Sequence, residues 1–423
     1  MIDNIISIYK RNEKLIKDNI YLASGILAFG LAGYFFHFYA GRKLGPEDYG
    51  TLGAMLSILY IATIFTLFIQ LAITKIVSNL HDKKEEKKIT YILKHNKVYW
   101  IYGVISAAAI MAATPILRYY LGIKLWLPFI IIAAIMTYTY ILSLNMGVMQ
   151  GLQNFKQLAA VYWSEGIGKI TAGVILIGIG LGVAGGVGAF GIAYLIGMIV
   201  TILFLTKLKK NEEEKFQDKT IKRSLPLLIV LFSLSLMYSI DVILVKHYLQ
   251  SAEVGFYTAL STIGKVIFFA SNSVSFVMFP KISETKTEKE NKNVLYKSLL
   301  LILLISIPII LFYALFPSVV TGLLFGNQYA AINSSIYLFG IVMALYALIY
   351  TLCFYNLSLN KTKFIYILVI SNVAQIIGII MFHESIKQVV YVMLAFMALL
   401  LASLFIIKER KNETPLTHHT SLQ

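Results

Sequence analysis

Apolar runs separated by short polar segments account for nearly the whole chain. A helix needs about 20 residues to cross a ~30 Å hydrocarbon layer. Runs of that kind lie at residues 19–40, 49–76, 98–118, 125–149, 158–181, 183–205, 225–245, 254–279, 299–323, 332–355, 364–381 and 389–407. The pattern predicts twelve membrane helices, or eleven if the fifth and sixth, which touch across GIGLGVAGGVG, form one. That glycine string follows no strand, so it reads as a tight turn or close helix packing rather than a phosphate-cradling loop. The leading MIDNIISIYKRNEKLIKD reads either as a basic amphipathic helix on the inner leaflet or as a solvated leader. The first span is too long, and followed by too many others, to be a cleavable signal peptide.

Composition agrees with the pattern. Of 423 residues, 58% are hydrophobic and 14% charged, and mean hydropathy is +0.76, whereas a soluble chain carries about 25% charged residues. The single cysteine, Cys353, has no internal partner, and no Cys/His cluster has metal-ligand spacing, so neither a disulfide nor a cofactor is expected. The net charge of +16 describes topology. Of the 37 Lys and Arg residues, 28 fall in the alternate segments that are inner if the N-terminus is cytoplasmic, six in the outer ones, and three (Lys75, Lys169, Lys265) within spans. That split predicts both termini on the cytoplasmic side of the cell membrane. It also argues against nucleic acid as a partner, because the charge is spread over every inner loop with no binding module beside it.

The chain also repeats. LGPEDYGTLGAM (44–55) aligns with LQSAEVGFYTAL (249–260) at an offset of 205, matching Leu44 to Leu249, Asp48 to Glu253, Gly50 to Gly255 and Ala54 to Ala259. The same offset lays GLQNFK at Gly151 on NLSLNK at Asn356. It carries six spans with it, so both halves insert in the same sense. The expected fold is therefore an all-α polytopic membrane protein, two six-helix lobes related by a pseudo-two-fold axis along the membrane normal. The lobes span residues 19–206 and 225–407, with the amphipathic segment 1–18 before them, a basic linker at 207–224 between them, and a polar tail at 408–423.

With these residues on the page, a family resemblance emerges. GRKLGPEDYGTLGAMLSIL after the first span, QGLQNFK after the fourth, and YSIDVILVKHYLQSAEVGFYTALSTI through the seventh and eighth resemble the polysaccharide repeat-unit flippases. These form the O-antigen-type branch of the superfamily, MOP, that also contains the MATE drug exporters. The resemblance covers essentially the whole chain. It implies translocation of a lipid-linked oligosaccharide from the inner to the outer leaflet, with no bond made or broken. Partners implied are that substrate, membrane lipid, H+ or Na+ as coupling ion, and glycosyltransferases or a polymerase of the same pathway.

Charges inside the spans nominate the site. A charged side chain at the bilayer centre costs at least ~2.5 kcal/mol, so such groups face protein or water and have a partner or a task. Glu165 and Lys169 lie four apart on the fifth span, Asp241 in the seventh and Lys265 in the eighth. Both lysines fall about 16 Å into their helices, near mid-depth. One reading has these groups lining a wet cavity between the lobes, where the lysines neutralise a phosphate or pyrophosphate. The other makes Glu165 and Lys169 a structural i, i+4 ion pair. Asp241 could partner either lysine. Lys265 shares its helix with a mostly polar stripe, Thr258, Ser261, Thr262, Phe269 and Asn272, expected to point somewhere hydrated. Thr63, Thr66, Gln70 and Thr74 make a comparable stripe on the second span, readable equally as helix packing. The cavity candidates are thus Lys265, Lys169, Glu165, Asp241, Gln70 and Asn272. A cation-coupled MATE-type drug antiporter is the alternative. Those exporters commonly carry an acid in the first span, which has none here, and cavity lysines would repel a cationic drug. No nucleophile–base or carboxylate pair suggests an enzyme.

Overall fold

The structure is a computed structural model that describes residues 2–209, 212–216, 224–284 and 287–406. The side chains of the expected amphipathic segment 1–18, most of the linker 207–224 and the tail 408–423 lie outside the described residues. Among those described, the chain is helical, with one 3-10 segment and no strand. It divides into two compact units, Met1–Leu225 and Pro226–Gln423.

The first unit holds α1 (Ile2–Asp82), α2 (Glu86–Lys94), α3 (Lys97–Leu121), α4 (Leu127–Gly151), α5 (Phe155–Gly178) and α6 (Gly182–Lys209). A straight α1 would be about 120 Å long, several times the apolar thickness of a bilayer. It is not straight. Gly45 takes a left-handed φ of 75° and Pro46 follows it, a pairing that reverses the chain because glycine pays no Cβ penalty there and proline starts the next helical turn. His37 consequently reaches back to Tyr49 (Nδ1 to hydroxyl, 3.1 Å) and to Tyr60 (Nε2 to hydroxyl, 3.4 Å), although residues 37 and 60 would sit about 35 Å apart on a straight helix. α1 is therefore two antiparallel spans. Among the described residues ten helical segments are long and apolar enough to cross a membrane, with α1 counted once and α5 omitted. α5 has the length but carries Glu165 and Lys169, so adding it and the second pass of α1 restores twelve.

The expected fifth and sixth spans are separate. Gly180 and Gly182 adopt φ of 93° and 52° between them, while Gly185 lies against Leu176 and Gly186 against Leu52, with no room for a Cβ. Glycine also brings α1 and α4 together: a Cβ on Gly147 would stand 2.7 Å from the Gln70 carbonyl oxygen. Thr74 uses this approach, its hydroxyl donating to the Gln70 and Gly147 carbonyls at 2.8 and 3.3 Å. Thr63 and Thr66 donate to carbonyls of their own helix. The threonines of this stripe thus serve helix packing.

The second unit comprises α7 (Leu225–Tyr248), α8 (Ser251–Glu284), α9 (Glu288–Leu315), α10 (Pro317–Leu324), a 3-10 segment (Asn327–Ser335), α11 (Ile336–Ser358), α12 (Phe364–Met381) and α13 (Ile386–Ile406). The ninth apolar run, read as one helix to residue 323, breaks at Phe316, because Pro317 lacks the N–H that would continue the ladder. The tenth run starts in the 3-10 segment rather than in a membrane helix.

The repeat is visible in turn geometry. At an offset of 205 Pro46 corresponds to Ser251, where α8 begins. The inner-turn match needs correction by two residues. After α4, Gln153 N–H donates to the Gln150 carbonyl and Asn154 N–H to that of Met149, with Gln153 left-handed; after α11, Asn360 donates to Leu357 and Lys361 to Asn356, with Asn360 left-handed. These are the same helix-ending turn, and they lie 207 apart. The second unit has gained two residues in between, so Leu152 pairs with Leu359, not Leu357.

On the polar side of the first unit, α2 buries Ile89 and Leu93 and exposes a basic face. The segment after α6 lies along it: Glu214 N–H donates to the Lys87 carbonyl at 3.2 Å, and Lys87–Glu212 and Lys88–Glu214 form ion pairs at 2.6 and 3.6 Å. Glu212 holds the Lys87 ammonium above its usual range. These pairs are exposed, so they order the segment more than they stabilise the unit.

Candidate functional site

The two mid-span lysines occupy different environments. α5 packs between α1 and α6, an arrangement that puts Lys169 under aromatic cover. Its ammonium lies 3.6 Å from the centroid of Phe29 on α1 and 4.9 Å from that of Phe190 on α6. A cation over ring faces is held by their negative quadrupole, and more strongly when water is excluded. Lys169 is only 2% exposed. Gly33 on α1 lies beside it, where a Cβ would meet Nζ at an ordinary contact distance of 3.7 Å.

Glu165, also 2% exposed, does not close an ion pair with Lys169. The two attract each other electrostatically, yet among the described residues no salt bridge joins them, and Glu165 Oε1 has no hydrogen-bond partner. Gly197 leaves room for this carboxylate, which a Cβ would overlap. Gln70, on the second pass of α1, is buried and donates from Nε2 to Gln150 Oε1 at 3.2 Å. Its work is to join α1 to α4. In the first unit, then, the candidate residues are sealed.

The second unit is more open around its lysine. Lys265 is half-buried on α8, with its ammonium 4.1 Å from the centroid of Tyr238 on α7. Asp241, one turn beyond Tyr238 on a face that buries it completely, accepts a hydrogen bond from the Tyr257 hydroxyl at 2.8 Å. Lys265 feels the Asp241 charge, but no ion pair joins them among the described residues, and Asp241 Oδ1 is unpartnered. Phe268 and Asn272 follow Lys265 on the same helix face at three and seven residues, and both are half-buried. Asn272 Oδ1 has no hydrogen-bond partner. The polar stripe expected to accompany Lys265 into water is only partly there. Thr258, Ser261 and Thr262 are buried, and both threonines donate to carbonyls one turn back, at Val254 and Thr258. Threonine inside a membrane helix satisfies itself this way and needs no water.

Sequence reasoning missed the aromatic partners. Phe29, Phe190, Tyr238 and Tyr257 sit in spans rich in such residues, and nothing local separates a ring that carries an ammonium from one that meets lipid. Among the described residues no group of three or more His, Cys, Asp or Glu side chains could hold a metal ion.

Comparison with known proteins places the chain. Residues 15–286 match the family described as polysaccharide biosynthesis protein. The chain belongs to the polysaccharide biosynthesis protein family. An uncharacterized membrane protein of Methanocaldococcus jannaschii is 28% identical, the match covering 78% of this chain and 89% of the relative. Among solved structures, this polysaccharide biosynthesis protein shares its fold with a multidrug resistance MATE transporter of the MOP superfamily in its inward-facing conformation (TM-score 0.74, 14% identity, covering 91% of this chain and 96% of the other). It shares it also with the lipid II flippase MurJ in an inward closed conformation (TM-score 0.63, 14% identity, covering 90% and 87%). The polysaccharide biosynthesis protein is thus a multi-span membrane protein with the MATE and MurJ fold.

Proposed function

We propose that this protein is a flippase that carries a lipid-linked oligosaccharide, gripped by its phosphate or pyrophosphate, from the inner to the outer leaflet of the cell membrane by alternating access. The observation that carries the reading is Lys265: a half-buried lysine at mid-span depth, its ammonium over a tyrosine face and in no ion pair among the described residues. Such a cation faces protein or water and has a partner or a task, and with no ion pair closed to it, holding an anionic ligand is a task it can take. Membership of a polysaccharide biosynthesis family supports a glycan cargo, and the likeness in fold to the lipid II flippase MurJ supports a lipid anchor. In this reading the lipid tail stays in the bilayer while the head group crosses. H+ or Na+ supplies the coupling, and glycosyltransferases or a polymerase act before and after it.

A transport assay separates this reading from drug export. Proteoliposomes holding the purified protein are expected to expose a fluorescent polyprenyl-pyrophosphoryl saccharide to an external quencher several times faster than protein-free vesicles, and to leave a lipophilic cationic dye undistributed. Dye transport without saccharide flipping would establish the antiporter instead. The proposed orientation has its own check. With both termini cytoplasmic, a reporter fused after Asn291 should be active inside the cell and one fused after Asn327 outside, and the reverse pattern would invert the direction of transport.

A further inference from the structure

Beside Lys265 runs a ladder of rings. On α11 Tyr346, Tyr350 and Phe354 recur every four residues along one face and cover about 12 Å. Tyr350 and Phe354 are stacked, with centroids 4.6 Å apart and planes 30° from parallel. Phe268, one turn from Lys265, stands edge-on to Tyr346 at 4.8 Å and to Tyr350 at 5.2 Å. Tyr238, under the ammonium, lies 5.6 Å from Tyr346 and 5.7 Å from Phe268. Tyr346 is the buried anchor, its hydroxyl donating to the Leu234 carbonyl at 2.9 Å. Around it Tyr238, Phe268, Tyr350 and Phe354 are all half-buried, as are Lys265 and Asn272. The rings form one continuous surface with an ammonium at one end.

That surface shares the face of a mid-span cation, and a face carrying such a cation is turned from lipid. Partly open tyrosines there offer what a saccharide needs: flat apolar faces for the C–H face of a pyranose and a polar edge for its hydroxyls. An organic cation would be poorly served, because Lys265 opposes it.

We propose that Tyr350 and Phe354, backed by Phe268 and Tyr346, form a saccharide-stacking subsite that holds the first sugars of the cargo while Lys265 holds the adjoining phosphate. This rests on the flippase reading and assigns the sugar half of the same site. The experiment compares two probes on the full-length protein in nanodiscs: a polyprenyl-pyrophosphoryl saccharide and the sugar-free polyprenyl pyrophosphate. Tyr350→Leu with Phe354→Leu should weaken saccharide-lipid binding at least about fivefold, the size expected for two aromatic contacts, and leave sugar-free binding at the wild-type level. Tyr350→Trp, which keeps a stacking face, should retain saccharide affinity. If the double leucine variant binds both probes like wild type, or loses both to the same extent, the ladder is packing and the subsite does not exist. If the wild-type protein binds neither probe, the flippase reading falls and this subsite falls with it. Wild-type binding of both probes with equal affinity overturns the sugar subsite alone.

Discussion

Lys265→Ala is expected to abolish flipping of a fluorescent polyprenyl-pyrophosphoryl sugar in proteoliposomes while leaving the protein folded, and Lys265→Arg to retain part of it. The ammonium lies over Tyr238 at 4.1 Å and forms no ion pair among the described residues, so removing it breaks no closed pair, although buried Asp241 loses a nearby attracting charge. What it removes is the charge that faces an anionic head group. Truncating one partner of a desolvated charge pair costs about 2–5 kcal/mol, a loss of about 25-fold or more at 1.4 kcal/mol per factor of ten. Arginine keeps the charge but spreads it over a planar fork that stacks on Tyr238 differently, which is why partial activity is expected. Wild-type flipping by the alanine variant would make Lys265 a packing residue or a distant counter-charge for Asp241. The phosphate-binding account would then be wrong.

The second large effect concerns stability. Lys169→Met should lower the unfolding free energy of the detergent-solubilised protein by about 2 kcal/mol or more, because it removes a desolvated cation–π contact and takes from buried Glu165 the charge that attracts it. Adding Glu165→Gln should recover part of that loss, since a neutral amide no longer needs the charge. The exchange Glu165→Lys with Lys169→Glu separates two physical origins. An ordinary i, i+4 ion pair tolerates inversion, but here the position of the lysine is defined by Phe29 at 3.6 Å and Phe190 at 4.9 Å, whose faces attract a cation and repel a carboxylate. The exchange is therefore expected to remain as unstable as the single variant, or more so. Thermal unfolding of the four proteins gives the comparison. Full recovery in the exchanged protein would show that the rings are incidental cover and that the pair is held by its own attraction.

Much of this molecule can be read without coordinates. The apolar runs become membrane-length helical passes, because a chain in lipid must satisfy every backbone group within its own helices, so hydropathy gives their rough bounds, while the separation of the fifth and sixth needed the turn at Gly180 and Gly182. Proline and glycine place several ends locally: Gly45 and Pro46 between the first two passes, Gly180 and Gly182 after α5, Pro317 after α9. The nominated charges are equally legible, since an ionisable residue in a span stands out by type. What they touch is a different matter. Glu165 and Lys169 are spaced to pair and do not, because Phe29 and Phe190 arrive from helices more than twenty residues away in sequence and draw the ammonium off. Lys169 and Lys265 look alike in sequence, each about eleven residues into an apolar run, yet one is sealed and the other half-open. Helical periodicity tells which side chains share a face. Which neighbour covers that face depends on how closely the helices approach, and that is settled by contacts such as Gly197 against Glu165 and Gly147 against Gln70, which exist only once the chain has folded.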